Sequence, residues 1–364
     1  MKELKGTIVI TTGGTGGHMF PAAGFARELV RNGYAISVIT DSRGSRFKDA
    51  FSSKFFYVIS ASSPRGGILK LLTGVTSLCV GFFQSFIIIR RQKTKAIVSF
   101  GGYAATPAVF AGFLLRVPVI MHEQNAVLGK ANRSFARFAK AIALSFRNTK
   151  YAPTKKRTEF TGIPIREEIL PFARSVYPEL SASSPFNILI LGGSQGSALL
   201  SRVIPQALIS LPKELRIRLN IVEQCRKEDV EEVRKMYSDS GLKAEVSDFF
   251  GDVEKRIQFS HLVIGRAGAS TIAEVNLIGR PMVLIPLGIA KDGDQLCNAS
   301  VVRDSGAGWI MEEGEFSAEN LNKIIIYLME NPVFLKEVAH NSAEMGIPDA
   351  HERLLRLVLE YCKQ

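Results

Sequence analysis

Cysteine is scarce and scattered in this sequence of 364 residues. The four cysteines, none of which belongs to a C-x-x-C pair, stand at Cys79, Cys225, Cys297 and Cys362. This spacing excludes a zinc knuckle and a disulfide framework, and it indicates a reducing, cytosolic setting. We also expect no signal peptide, because the apolar run at 7–12 is short and leads directly into glycines.

Two common nucleotide-binding motifs are missing as well. The chain has no G-x-x-x-x-G-K-[ST] sequence, which excludes a Walker phosphate loop. Its glycine-rich segment 13–18 fails as a dinucleotide fingerprint, because Met19 stands where the third glycine of G-x-G-x-x-G would be. This weakens the alternative of a nicotinamide- or flavin-dependent oxidoreductase. A composition of 46% hydrophobic and 22% charged residues excludes a disordered or coiled-coil chain.

Acidic residues are rare in the first half of the chain. Residues 1–160 contain 24 Lys and Arg against six Asp and Glu, whereas residues 161–364 contain 22 against 28. Such a difference predicts two lobes with different partners. The basic lobe could meet nucleic acid, an anionic membrane or a phosphorylated substrate. We expect no nucleic-acid partner, because the chain lacks the interleaved basic and aromatic residues typical of such binders.

Short β-branched runs alternate with helical patterns, and the alternation starts again midway along the chain. This succession is typical of a parallel sheet with helices on both faces. We therefore predict an α/β fold with two Rossmann-like lobes and a boundary near residues 160–165. The predicted strands are 7–12, 34–40, 56–59, 96–100, 117–122 and 141–145, then 186–191, 217–222, 243–246, 261–264 and 281–285.

Glycine turns follow three of the predicted strands, at 13–17, 100–103 and 192–196. Glycines let the backbone adopt positive φ and bring bare N–H groups close to a ligand, and a helix N-terminus adds partial positive charge. The turns predict that a phosphate or sugar phosphate binds in a cleft between the lobes. His18 follows the first turn, ahead of a helix predicted over 21–32. We favour a catalytic or phosphate-contacting role for it over a structural one.

A further small-residue turn at 265–271 leads into a predicted helix that carries Glu274. The hydroxyls of Ser270 and Thr271 could cap this helix or donate hydrogen bonds to a diphosphate. Glu274 lies one helical turn further on. It either accepts both hydroxyls of a ribose or is a carboxylate stabilised by the helix dipole, and the residues alone leave both roles open.

Two shorter polar motifs are also candidates. The segment His122-Glu123-Gln124-Asn125 ends a predicted strand with four hydrogen-bonding side chains, which fit sugar hydroxyls. The triplet Asp292-Gly293-Asp294 is similar to the D-x-D that holds a divalent metal in many sugar-nucleotide enzymes. Such triplets are common in turns, and helix ends already supply positive charge, so we predict no metal.

Seven motifs, in order and in both lobes, resemble one family. That family is MurG, the bacterial UDP-N-acetylglucosamine:undecaprenyl-diphospho-N-acetylmuramoyl-pentapeptide N-acetylglucosaminyltransferases. The resemblance implies a GT-B fold with an active site in the cleft between the lobes. It also implies an inverting, metal-independent transfer of GlcNAc to O4 of the muramoyl sugar of lipid I, without a cofactor. The motifs are GGTGGHMFP (13–21), FGGY (100–103), HEQN (122–125), TGIPIR (161–166), GGSQGS (192–197), RAGAST…E (266–274) and DQLCNA (294–299).

The resemblance assigns roles to individual residues. Arg166 and Ser194 would hold the UDP diphosphate, and Glu274 would bind the ribose hydroxyls. His18 is the predicted general base for the acceptor hydroxyl, with Glu123 as the alternative base. The other predicted contacts to UDP-GlcNAc are Thr15, Gly16, Gly17, Asn125, Phe250, Ala269, Ser270, Thr271, Ile272, Ala273 and Gln295.

The predicted domains are 1–162 for the acceptor and membrane side, 163–340 for the donor, and a terminal helix at 341–364 that packs back on the first lobe. The predicted partners are UDP-GlcNAc, lipid I and an anionic membrane surface, with other cell-wall synthesis proteins as further candidates. We expect peripheral attachment to the cytoplasmic face of the bacterial inner membrane. A UDP-GlcNAc 2-epimerase of the same fold is the alternative function, although it would not need the basic lobe.

The uncharged segment 71–89 is long enough to cross a membrane. It nevertheless lies between predicted strands of one sheet, and its large side chains recur at helical spacing. We therefore predict a helix half buried in its domain that offers spare apolar groups to a bilayer surface. Leu78, Phe82 and Phe86 could belong either to that membrane face or to the core.

Overall fold

The chain folds into two compact units in a computed structural model. The first unit comprises residues 1–167 and 349–364, and the second comprises residues 168–348. The sequence predicts these boundaries at 162/163 and 340/341, whereas the structure has them at 167/168 and 348/349. The structure describes residues 4–51, 53, 55–61, 68–181, 183–193, 196–288 and 293–362, with the backbone only for 68–71.

The first unit is built on a seven-stranded parallel sheet. Its central strands are β-branched runs that are buried on both faces, as expected for a parallel sheet covered by helices on each side. On the first strand, Ile8 and Ile10 enter one core cluster and Val9 enters the cluster on the opposite face. The strands are Thr7–Thr11 (β1), Ala35–Thr40 (β2), Phe55–Val58 (β3), Thr94–Ser99 (β4), Val119–Glu123 (β5), Ala141–Leu144 (β6) and Arg157–Phe160 (β7), in the sheet order β3-β2-β1-β4-β5-β6-β7.

Among the described residues before 167, this unit has four α-helices. They are Gly16–Arg31 (α1), Ile68–Arg91 (α2), Thr106–Leu114 (α3) and Lys130–Phe135 (α4). The predicted start of the first helix at Pro21 is wrong, because α1 begins five residues earlier and contains Pro21. A proline this near a helix start removes only one backbone hydrogen bond, so it is tolerated. Gly16, Gly17 and His18 therefore form the first turn of α1.

Helix α2 buries only a narrow face against the unit and leaves a broad apolar face exposed. Gly81, Ser85 and Ile89 are buried, and a Cβ on Gly81 would overlap the Ser60 carbonyl oxygen. The stretch Leu72–Arg91 is long and apolar enough to cross a membrane by length and composition, and 22% of an 18-residue window within it is buried. The outer side chains are Leu72, Val75, Val80, Phe83 and Ile87, which are 47–65% exposed.

The structure resolves the alternative left open for three residues of α2. Phe82 and Phe86 are half-buried and pack against the core cluster beneath α2, and Leu78 is also half-buried. They are therefore not the outermost residues of this helix. Phe83 and Ile87, which lie next to them in sequence, occupy the exposed face instead.

The second unit is built on a six-stranded parallel sheet of order β10-β9-β8-β11-β12-β13. Its strands are Phe186–Leu191 (β8), Leu219–Gln224 (β9), Ala244–Ser247 (β10), Leu262–Gly265 (β11), Met282–Leu284 (β12) and Gly308–Ile310 (β13). Its helices are Ala198–Ile209 (α5), Lys213–Arg216 (α6), Val230–Asp239 (α7), Val253–Phe259 (α8), Ala269–Ile278 (α9), Asp294–Asp304 (α10), Ala318–Glu330 (α11) and Pro332–Glu344 (α12).

The chain returns to the first unit for its last helix, Ala350–Cys362 (α13). Leu354, Leu357 and Val358 of α13 are buried in the same cluster as Ile8 and Phe25. The terminal helix therefore completes one face of the N-terminal sheet, whereas α12 belongs to the second unit.

Two strands lie outside the sequence-based prediction. Strand β7 is the edge strand Arg157–Phe160, whose side chains are exposed or half-buried and lack a β-branched run. Strand β13 has only three residues, Gly308–Ile310. Hydrophobic pattern is weak in short edge strands, because neighbouring strands supply their pairing.

A buried carboxyl group sits in the core of the second unit. Glu223 on β9 is fully buried and accepts a hydrogen bond from the Tyr237 hydroxyl at 2.7 Å. Its other oxygen has no hydrogen-bond partner among the described residues. Burial raises the pKa of Glu223 to about 8, so the carboxyl group stays neutral in the folded protein near neutral pH.

We expect this group to make stability fall as pH rises. Glu223 binds a proton more tightly in the folded state, so its contribution is full below the unfolded pKa of about 4.3 and is lost as pH rises through about 8. In urea unfolding, the free energy of unfolding of Glu223→Gln, measured relative to wild type, should therefore rise by roughly 2–4 kcal/mol from pH 5 to pH 9. The exposed Glu232→Gln is the control. An equal effect of Glu223→Gln at both pH values would contradict this assignment.

Candidate active site

The turns after β1 and β4 lie in direct backbone contact. Gly13 donates its N–H to the Gly101 carbonyl at 2.8 Å. Gly101 and Gly102 have φ of +81° and +80°, and a Cβ on Gly102 would come 2.8 Å from Gly13 Cα. Only glycine fits here, because a side chain would have to occupy the space of the neighbouring backbone and adopt an unfavourable φ. The two glycine turns predicted from sequence are thus brought together.

His18 lies beside these turns and connects to the end of β5. Its Nδ1 is 3.1 Å from Gln124 Oε1. Gln124 Nε2 is 3.0 Å from the Phe100 carbonyl oxygen and 3.2 Å from Nδ1 of His122. His122 Nε2 is in turn 2.9 Å from the Gly162 carbonyl oxygen. The His18 ring is half-buried, whereas Gln124 and His122 are buried.

The polar segment 122–125 was predicted to offer four side chains to sugar hydroxyls. That prediction is wrong for His122, Glu123 and Gln124, because all three are at most 2% exposed and hydrogen-bond within the protein. Burial lowers the pKa of His122 to about 4, aided by the nearby His18, although the bond to Gly162 opposes the shift. Asn125 alone of the four is half-buried.

Glu123 is 2% exposed, and both of its oxygens are occupied. One oxygen accepts from the backbone N–H of Asn125 at 3.1 Å and from its Nδ2 at 3.3 Å. The other accepts from the Gly129 N–H at 2.9 Å and Asn132 Nδ2 at 2.8 Å. Four hydrogen bonds fill the acceptor positions of a carboxylate, so the geometry favours an orienting role for Glu123, with Asn125 as the side chain it orients.

The start of α1 presents backbone to solvent. Thr15 precedes the helix without a side-chain capping hydrogen bond. The His18 N–H donates to the Thr15 carbonyl at 3.0 Å, whereas the N–H groups of Gly16 and Gly17 precede the first intrahelical acceptor. A Cβ on Gly17 would meet nothing within 4 Å, so a ligand can reach the backbone there. Arg166 is half-buried and follows the 161–165 segment in the first unit.

The start of α9 is the corresponding feature of the second unit. Gly268 precedes the helix without a capping side chain, and no acidic residue lies in the first turn. The Ser270 hydroxyl is buried and has no hydrogen-bond partner among the described residues. Glu274 is half-buried one turn further on. This combination suits an anion at the helix start and a hydroxyl-rich group beside it.

The remaining predicted residues of the second unit differ in accessibility. Thr271 and Ala273 are half-buried, while Ala269 and Ile272 are 6% and 1% exposed, so only the backbone of Ile272 could touch a ligand. Phe250 is 8% exposed, with the Arg256 guanidinium 4.0 Å from its ring centroid.

Three predicted residues remain, namely Ser194, Asp292 and Gln295. Gln295 Oε1 accepts a hydrogen bond from the Leu287 N–H at 3.0 Å. Ser194 and Asp292 lie outside the described residues. Within the described ranges, no three His, Cys, Asp or Glu side chains cluster in a way that could hold a metal ion.

Sequence reasoning missed the residues that tie the loops of the second unit together. Arg266 donates to Ser197 Oγ at 2.9 Å and to the Ile285 carbonyl at 3.1 Å, and it pairs with Glu313 at 2.6 Å. Glu313 also accepts the Gly288 N–H at 3.1 Å. One guanidinium in the loop after β11 thus connects three further loops, those after β8, β12 and β13. Arg266 stood inside a recognised motif, whereas no local pattern marked Glu313.

Comparison with known proteins identifies the class. A model of the glycosyltransferase family 28 N-terminal domain matches residues 8–144, and one of the glycosyltransferase family 28 C-terminal domain matches residues 187–354. The structure is similar to the crystal structure of Acinetobacter baumannii MurG, with a TM-score of 0.78. The match covers 97% of this chain and 99% of that one, and the two sequences are 32% identical. The two parallel-sheet units and these matches define a GT-B glycosyltransferase built from family 28 domains.

Curated relatives specify the family further. A protein of Paramagnetospirillum magneticum is 40% identical over 362 residues, covering 99% of this chain and 98% of its own, and one of Granulibacter bethesdensis is 42% identical over 356 residues, covering 97% and 93%. Both are named UDP-N-acetylglucosamine--N-acetylmuramyl-(pentapeptide) pyrophosphoryl-undecaprenol N-acetylglucosamine transferase. The chain therefore belongs to the MurG family, which confirms the resemblance seen in its motifs.

Alanine should destabilise the protein at Gly14 but not at Gly17. A Cβ on Gly14 would overlap Asp41 Oδ1 and the Gly44 nitrogen, so Gly14→Ala should cost about 1–3 kcal/mol of stability. Gly17→Ala meets no protein atom and should leave the melting temperature unchanged or slightly raised. If a ligand approaches the backbone at Gly17, this variant should lose donor binding while remaining fully folded. Thermal unfolding combined with UDP titration separates the two effects, and a Gly17→Ala protein with wild-type UDP affinity would remove Gly17 from the site.

Proposed function

We propose that this enzyme transfers GlcNAc from UDP-GlcNAc to O4 of the muramoyl sugar of lipid I, with inversion at the anomeric carbon. The product is lipid II, an intermediate of peptidoglycan synthesis. The observation that carries the proposal is about 40% identity over nearly the whole chain to transferases named for this reaction. It is supported by the glycine turns and helix starts of both units, which suit a sugar diphosphate.

The donor chemistry requires stabilisation of developing charge. Displacement at the anomeric carbon builds negative charge on the departing UDP, and fixed N–H donors at a helix start can stabilise it without a metal. We assign this task to the start of α9, where Ser270 and Thr271 add hydroxyl donors, and to Arg166 and Ser194. Glu274 would accept the ribose hydroxyls. Ala269, Ile272 and Ala273 would contribute backbone, with Phe250 beside the uracil and Gln295 near the sugar or a phosphate.

The acceptor chemistry requires a base that can reach the muramoyl hydroxyl. We assign this role to His18, because its half-buried ring follows directly on Gly17, where the backbone is open to a ligand; Thr15, Gly16 and Gly17 would line the sugar and diphosphate. Glu123 is the weaker candidate, since its carboxylate is buried and accepts four hydrogen bonds. Asn125, which those bonds orient, is the proposed contact to the GlcNAc hydroxyls.

The test is incubation of the enzyme with radiolabelled UDP-GlcNAc and a lipid I analogue. We expect label in the lipid product, with kcat lowered by about 10²–10⁴ in His18→Ala, as for a general base. Glu123→Gln should cost less, because an amide keeps part of the hydrogen bonding. Release of free GlcNAc or epimerised UDP-sugar without lipid labelling would overturn the transferase function. A large loss confined to the Glu123 variant would overturn the base assignment.

We further propose that the first unit attaches peripherally to an anionic membrane, as a polyprenyl-linked acceptor demands. The exposed apolar face of α2 supports this, since Leu72, Val80, Phe83 and Ile87 are 49–65% exposed. The exposed Arg90 and Arg91 end the same helix, and the first 160 residues carry a large excess of basic side chains. Basic residues near an anionic leaflet contribute about 1 kcal/mol each, and inserted apolar groups add to that. The cytoplasmic face of the inner membrane and contacts with other cell-wall synthesis proteins stay predictions.

Vesicle flotation tests this surface. Phe83→Ser together with Ile87→Ser should abolish binding to vesicles that contain phosphatidylglycerol or cardiolipin, with an unchanged melting temperature. Phe259→Ser is a matched control, because Phe259 of the second unit is also 65% exposed. The wild-type protein should not bind neutral vesicles, and salt should weaken its binding to the anionic ones. Undiminished binding of the double variant would show that this face of α2 is not the membrane contact.

A further inference from the structure

The amide of Gln124 joins two histidines and dictates where each carries its proton. An amide nitrogen only donates, and an amide oxygen only accepts. Because Gln124 Nε2 faces Nδ1 of His122 at 3.2 Å, that Nδ1 must be an unprotonated acceptor. His122 therefore carries its proton on Nε2, which donates to the Gly162 carbonyl at 2.9 Å.

The other end of the amide fixes His18 by the same logic. Gln124 Oε1 lies 3.1 Å from Nδ1 of His18, so this Nδ1 must carry a proton to make the bond. In a neutral imidazole the second nitrogen is then unprotonated. None of the described residues hydrogen-bonds to His18 Nε2, whereas Nδ1 faces Gln124.

The orientation of the amide is itself fixed by the backbone. Exchanging its oxygen and nitrogen would place Oε1 3.0 Å from the Phe100 carbonyl oxygen, where two acceptors repel each other. It would also break the bond to His122. Phe100 belongs to the β4 turn, whose position is held by the glycine contacts with the β1 turn. Backbone geometry thus selects the amide orientation, and the amide selects the histidine tautomer.

We propose that Gln124 is a positioning residue that holds neutral His18 with its proton on Nδ1 and its lone pair on Nε2. This inference rests on the proposed function only in assigning His18 as the base. The same bond fixes the direction of the ring, whose Cδ2 edge lies against Gly13 and Gly102. Burial of Gln124 and His122 keeps water from competing for these bonds. The lone pair that must accept the proton of the hydroxyl is then present before the acceptor binds.

Nitrogen NMR on the wild-type enzyme tests the tautomer without any assay of activity. Two-bond ¹H–¹⁵N spectra of enzyme labelled in its histidine rings should show neutral His18 protonated on Nδ1 and His122 protonated on Nε2. The His18→Ala spectrum identifies the His18 signals by their absence. In Gln124→Leu, the His18 signals should move toward the Nε2-protonated form. A wild-type His18 protonated on Nε2, or signals that do not change in Gln124→Leu, would overturn the proposal.

Kinetics give the second measurement. Gln124→Leu should lower kcat by about 10- to 100-fold, less than removal of the base itself, with KM for UDP-GlcNAc within about twofold of wild type. Gln124→Met fills a similar volume without a polar group toward His18 Nδ1, and it should lose about as much kcat as Gln124→Leu. Gln92→Leu is the matched control, since that half-buried glutamine bonds Tyr57 in the same unit. Wild-type kcat in Gln124→Met would show that the amide is not needed to position His18, and it would overturn the positioning role.

The outcomes also separate this inference from the proposed function. If the wild-type enzyme labels no lipid, the proposed function fails, and the tautomer measured by NMR still decides the geometry around Gln124. If the enzyme labels lipid and His18 carries its proton on Nε2, the proposed function stands and the role of Gln124 is overturned.

Discussion

The carboxyl ends of β1 and β4 approach so closely that no side chain fits between the turns that follow them. Gly13 donates to the Gly101 carbonyl, and Gly102 lies against Gly13 Cα. This contact sets the position of the Phe100 carbonyl, which orients the Gln124 amide, which in turn binds His18. The geometry around the proposed base therefore depends on backbone packing between two glycine turns.

The loops of the second unit are held by a different kind of interaction. There Arg266 holds three loops through Ser197, the Ile285 carbonyl and Glu313. Both side chains of the ion pair are largely buried, so removing one partner would leave an uncompensated charge. The start of α9 is thereby presented in a fixed position, as electrostatic stabilisation of a leaving diphosphate requires.

Much of this structure could be predicted from sequence because it depends on local patterns. The β-branched runs predicted the central strands, and the motifs identified the family and the GT-B fold. The start of α1 could not be predicted, since Pro21 signals a helix start although it lies inside the helix. The sequence also could not predict that the side chains of Gln124 and Glu123 point inward. The pairing of β4 with β5 brings Phe100 to Gln124, and helix α4 brings Asn132 to Glu123.

The proposed function assigns the UDP ribose to Glu274 of the second unit and the proton transfer to His18 of the first. Calorimetric titration of UDP into the wild type, Glu274→Ala and His18→Ala tests this division directly. We predict that Glu274→Ala weakens UDP binding by about 1.5–3 kcal/mol, as for hydrogen bonds to a charged group, while His18→Ala leaves the affinity unchanged. Wild-type affinity in Glu274→Ala, or a comparable loss in His18→Ala, would contradict it.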